Sequence, residues 1–119
     1  MRNTIRYFLL FEAATFVIAA LIHFGVLGNT FHQAAGIAES VIAAVLLAGL
    51  AVSWIRPDWT RMAGLVSQGF ALLGTLVGIF TIIIGVGPRT VPDIVYHIGI
   101  VAVLAWGLVV AARARPTEV

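Results

Sequence analysis

Apolar positions run along the chain in four long blocks, and most of the polar positions fall in the gaps between them. The first block, YFLLFEAATFVIAALIHFGVL, lies between Arg6 and Gly28. At the helical rise its roughly twenty residues match one hydrocarbon thickness, which predicts a membrane-spanning helix over 7–27. It is too long for a signal-peptide core and holds Glu12, so it reads as a retained helix. Asn29 or Thr30 is placed to cap a second helix over 31–55. In Arg56-Pro57-Asp58-Trp59-Thr60-Arg61 the proline pushes its predecessor out of helical geometry, giving a short turn. A third helix is expected over 62–86. The run Gly85-Val86-Gly87-Pro88-Arg89-Thr90 breaks it, and a fourth helix over 91–112 begins with Pro92 in its first turn, where the missing N–H costs little.

Composition narrows the class. Of 119 residues 61% are hydrophobic and 10% are charged, whereas about a quarter of a soluble domain is charged. The expectation is one all-α domain over 1–119, an up-and-down four-helix transmembrane bundle. Six of the seven Arg (Arg2, Arg6, Arg56, Arg61, Arg113 and Arg115) fall at the ends that four alternating spans bring together. By the positive-inside rule both termini are then cytoplasmic, as in a multi-pass protein of a bacterial inner membrane. Trp54 and Trp59 mark the same boundary. No basic stripe follows a phosphate backbone, so nucleic acid is not an expected partner. With no Cys, disulfides and thiolate metal sites are excluded.

The candidate chemistry lies in the polar residues inside the apolar blocks. An ionisable group at the centre of a membrane helix costs about 2.5 to 3.5 kcal/mol, so it persists when paired, hydrated or bound. Depth along each helix places His23, Glu39, His97, Asp93 and His32 together in the outer half. Asp93 and His97 are four apart, and His32 and Glu39 are seven apart, so each pair shares a helix face. Imidazole and carboxylate converging in a bundle suit Zn, Fe, Mn or Cu, so the first expectation is a metal site of His23, Glu39 and His97, with Asp93 or His32 as a further ligand. Such a centre would serve a metal-dependent enzyme on a small or lipid-soluble substrate, or a metal carrier. A second reading is a haem b electron-transfer protein, with His23 and His97 as axial ligands and Arg89 near a propionate. A third is a small proton- or cation-coupled transporter using Glu39, His23 and Glu12. A fourth is an accessory subunit of a larger membrane complex.

Each residue also has a plainer role open to it. His32 would be solvated at the interface, Asp93 would favour a helix N-terminus or pair with Arg89, and His23 and His97 would hydrogen-bond between helices. In the inner half Glu12 and Gln68 are expected to bond to each other, with Arg61 or Arg113 as other partners for Glu12. The Gly74/Gly78 ridge, with Gly36, Ser40 and Ala44 on the second helix, points to close packing of the second and third helices or to a homo-oligomer. The lipid bilayer is the remaining expected partner.

Overall fold

The computed structural model describes residues 1–115. It contains α1 (Arg2–His23), α2 (Gln33–Ile55), a 3-10 turn (Pro57–Trp59), α3 (Thr60–Ile83) and α4 (Val91–Arg113), with no strand among the described residues. All four helices are long and apolar enough to cross a membrane. At 1.5 Å per residue each of them is a little longer than a hydrocarbon core of about 30 Å. Helices adjacent in sequence pack most closely, α1 also touches α3 and α4, and α2 and α4 have little direct contact. The chain thus has an Arg-rich basic end, which holds both described termini and the Pro57 turn, and a far end, which holds the two glycine-containing connections.

Each helix buries a narrow stripe. On α1 it comprises Ile5, Leu9, Ala13 and Phe16, and it meets Ile42 and Leu46 of α2, Ala71 of α3, and Ile100 and Leu104 of α4. The outward faces carry Phe11, Ile18, Leu47, Leu73, Phe80, Ile98 and Trp106, all exposed, the distribution expected where the solvent is lipid.

Several boundaries differ from the hydrophobic blocks, and three of them have a hydrogen-bonding reason. α1 starts earlier, at Arg2, and stops at His23 because Gly25 adopts φ +79°. There the Val26 N–H bonds to Leu21 O at 2.9 Å and the Gly25 N–H to Ile22 O at 3.1 Å, a Schellman ending. Gly85, at φ +84°, ends α3 at Ile83 in the same way. The cap of α2 is neither Asn29 nor Thr30 but His32, whose ring Nδ1 accepts from the Ala35 N–H at 3.2 Å. α4 begins as expected, and its Thr90/Asp93 pair forms a capping box.

Small residues set the close approaches, though not all of those expected. A Cβ on Gly49 would lie 2.6 Å from Ser67 Oγ, one on Gly64 2.7 Å from Ile5, and one on Gly74 2.9 Å from Ile42. α2 and α3 therefore meet through Gly49 and Gly74. Ser40 and Ala44 are exposed and Gly36 lies under the Phe24 ring. Gly74 and Gly78 both face inward, onto Ile42 and His97, so this ridge serves contacts within the chain.

The basic end is tied by arginine. Arg6 donates to Ser53 O at 2.6 Å and to Ser53 Oγ at 3.2 Å and lies 3.8 Å over the Trp54 ring. Arg2 pairs with Asp58 at 3.3 Å. Further in, Glu12 and Gln68 are fully buried but do not bond to each other. Gln68 Nε2 donates to Gly64 O of its own helix at 3.0 Å. Among the described residues Gln68 Oε1 and both Glu12 carboxyl oxygens have no partner, and the Thr15 hydroxyl donates to the Glu12 backbone oxygen at 2.8 Å.

Candidate functional site

Because the Gly25 motif ends α1 abruptly, His23 sits in its last turn, where the ring enters the space between α2 and α4. His23 Nδ1 lies 2.5 Å from Glu39 Oε1 of α2, and His23 Nε2 lies 2.9 Å from Asp93 Oδ1 of α4. The three side chains are only 7%, 8% and 11% exposed. The chain then folds back so that the His32 N–H bonds to His23 O at 2.7 Å, which fixes the backbone on which the imidazole is mounted.

The second Asp93 oxygen accepts from the Thr90 N–H at 3.0 Å and from the Thr90 hydroxyl at 2.5 Å. Asp93 is thus a helix cap and a partner of His23 at once, and Arg89 is not its ion-pair partner. Glu39 has only the His23 contact. Its other oxygen has no hydrogen-bond partner among the described residues.

Two expected ligands are engaged differently. His32 caps α2 through Nδ1, which makes Nε2 the N–H that donates to Val86 O at 3.2 Å. His97 turns back on its own helix and donates from Nδ1 to Asp93 O at 2.6 Å, so Nε2 is the acceptor nitrogen when the ring is neutral, and it faces Gly78. Of the five residues expected to converge, His23, Glu39 and Asp93 are in direct contact. His97 and His32 lie beside them. Among the described residues no group of three or more His, Asp and Glu is arranged to hold a metal ion.

The reason is directional. Ligands to one ion must point at one place, but Glu39 and Asp93 approach His23 through different ring nitrogens and so lie on different sides of the ring. Two imidazole–carboxylate hydrogen bonds require two protons among the three groups. One is the N–H of the neutral ring. The other makes the cluster an imidazolium between two carboxylates, or a neutral imidazole with one carboxylic acid, and in either form its net charge is −1.

Tyr96 is a member of the site that sequence reasoning passed over. Its hydroxyl donates to Thr15 Oγ1 at 3.1 Å, joining α4 to α1 below the cluster, and its ring packs edge-on to Phe16 and His97. The signal was present, since Tyr96 follows Asp93 by three residues and so shares its helix face.

The cluster separates two cavities. Glu39, His97 and Tyr96 line one of them, bounded by α2, α3 and α4. His23, Asp93 and Tyr96 line the other, a larger cleft between α1 and α4. Compared with known protein families, curated proteins and solved structures, the chain matches none.

Proposed function

We propose that the protein is a small proton-coupled membrane carrier in which Glu39, His23 and Asp93 take up and release a proton and so control how the helices meet at the far end. The observation that supports this reading is the double engagement of His23 by carboxylates from two helices that scarcely touch each other. With two protons in the cluster both hydrogen bonds form and His23 joins α2 to α4. Loss of one leaves a ring-nitrogen lone pair against a carboxylate oxygen, an attraction turned to repulsion, and His23 must release one helix. Proton occupancy is thereby coupled to helix separation. The arginine distribution supports a reading in which the basic end is cytoplasmic and the cluster lies in the outer half of the membrane.

A metal ion bound by the same residues would have to displace a carboxylate from one His23 nitrogen. The two readings separate experimentally. The chain has no Cys, so cysteines placed at Ile37 and Ile98, both exposed near the cluster, accept spin labels specifically. In metal-free protein in lipid nanodiscs, the distance between the labels should change in a single step as pH is titrated, and His23→Gln should abolish the step. A constant distance refutes the proton reading. A step that appears only when a stoichiometric metal is restored replaces it with the metal one.

A further inference from the structure

The cavity bounded by α2, α3 and α4 has a volume of about 170 Å³. Its walls are apolar, including Phe16, Ile42 and Val77, and no arginine lines it. Two polar atoms without partners among the described residues belong to side chains on its wall. One is the second carboxylate oxygen of Glu39, a side chain more than nine-tenths buried at 8% exposure. The other is His97 Nε2, the acceptor nitrogen of the neutral ring because Nδ1 donates to Asp93 O. With that ring neutral, both atoms accept hydrogen bonds and neither donates. An occupant must therefore supply donors, and the net charge of −1 on the adjoining cluster favours a cation.

A dry cavity of about 150 Å³ admits benzene, which sets the size of an occupant at about six to eight heavy atoms. We infer that this cavity binds a small organic ammonium ion, its N–H groups on Glu39 and His97 and its hydrocarbon part against Phe16, Ile42 and Val77. Anionic lipid headgroups are disfavoured by the same charge. The exposed rim residues Ala34, Ala38 and Val77 open the cavity between α2 and α3, the side from which an amphiphilic cation dissolved in the membrane would enter. The inference rests on the proton reading in one respect: a cation seated on Glu39 stabilises its carboxylate and displaces a proton from the cluster, which makes the two exchange.

Titration calorimetry in nanodiscs tests it with cyclohexylammonium, using cyclohexanol as the neutral isostere. The ammonium should bind saturably and about tenfold or more tighter than the alcohol, as a charge-assisted contact requires. Glu39→Gln should remove that preference. Gly78→Ala, whose methyl would stand 3.1 Å from His97 Nε2, should weaken binding with every charge left in place, and it keeps the test valid if Glu39→Gln fails to fold. No saturable binding, equal binding of the alcohol, or full affinity in a folded variant overturns the inference. Repeating the titration in two buffers of different ionisation enthalpy counts protons released. Binding without release leaves the ammonium site standing and overturns exchange, whereas a pH-driven helix step without ammonium binding leaves the relay and overturns the site.

Discussion

The contact between His23 and Glu39 can be weighed by a double-mutant cycle with His23→Ala, Glu39→Ala and the double variant. The two atoms are 2.5 Å apart and both side chains are at least 92% buried, being 7% and 8% exposed. Two magnitudes compete. Interhelical hydrogen bonds in membrane proteins average about 0.6 kcal/mol by such cycles, because polar groups find other partners when the helices separate. A hydrogen bond to a charged group contributes about 1.5 to 3 kcal/mol. The second should apply here, since no arginine lies among the residues lining either adjoining cavity to replace either partner. His23→Ala should lose about 3 kcal/mol or more, because it strands Glu39 in the bundle, and Glu39→Ala should lose less, because His23 keeps its bond to Asp93. The coupling energy should be about 2 kcal/mol, a factor of about thirty in the folding equilibrium. Reversible unfolding in mixed detergent micelles, followed by circular dichroism, measures all four proteins. A coupling of about 0.6 kcal/mol or less would show an ordinary packing contact and remove the electrostatic basis of the relay.

Three further substitutions have outcomes that can be read in the same unfolding assay. Gly25→Ala forces a side chain onto φ +79° and should cost about 1 to 2 kcal/mol; an unchanged stability would mean the α1 ending does not fix His23. Glu12→Met removes a buried carboxyl with neither oxygen partnered among the described residues and should stabilise the protein by about 1 to 3 kcal/mol, so a clear loss would reveal a partner for Glu12. Gly107→Ala drives a methyl into Gln68 Oε1 and should cost about 1 to 3 kcal/mol, with most of the loss recovered by adding Gln68→Ala.

Hydrophobic blocks were enough to locate all four helices and the Pro57 turn, because segment length and proline chemistry are local properties. They misplaced the ends of α1 and α3, since Val26, Leu27 and Val86 are as apolar as the helices they follow. What stops those helices is the positive φ of Gly25 and Gly85, which hydropathy does not register. Depth along the helices sufficed to bring His23, Glu39 and Asp93 together. It carries no information on rotamer, so it could not show that His97 folds back onto Asp93 O, or that His32 is spent on a helix cap. Nor does spacing distinguish three ligands pointing at one ion from a ring held at two nitrogens. The same residues serve both, and the difference lies in side-chain direction.

The two ends of the bundle are built on different chemistry, and this asymmetry decides where it can move. Helices in lipid gain little from apolar contact, so close backbone approach and polar ties carry the packing. In the basic half Gly49, Gly64 and Gly107 bring neighbouring helices together, and the ties come from the guanidinium groups of Arg6 and Arg2. In the far half the residues that cross between helices border two cavities, one of them a cleft of about 890 Å³ between α1 and α4. The tie there is an imidazole whose two bonds depend on one exchangeable proton. On the proposed reading, a change of protonation would therefore act in the half that borders the two cavities, with the basic half as the fixed point. Separation of α1 from α4 would enlarge the Asp93 cleft, and separation of α1 from α2 would free Glu39 towards the smaller cavity. On the proposed reading, which bond opens first would be set by what occupies that cavity: a cation on Glu39 would draw its carboxylate from His23 and leave the bond to Asp93 intact.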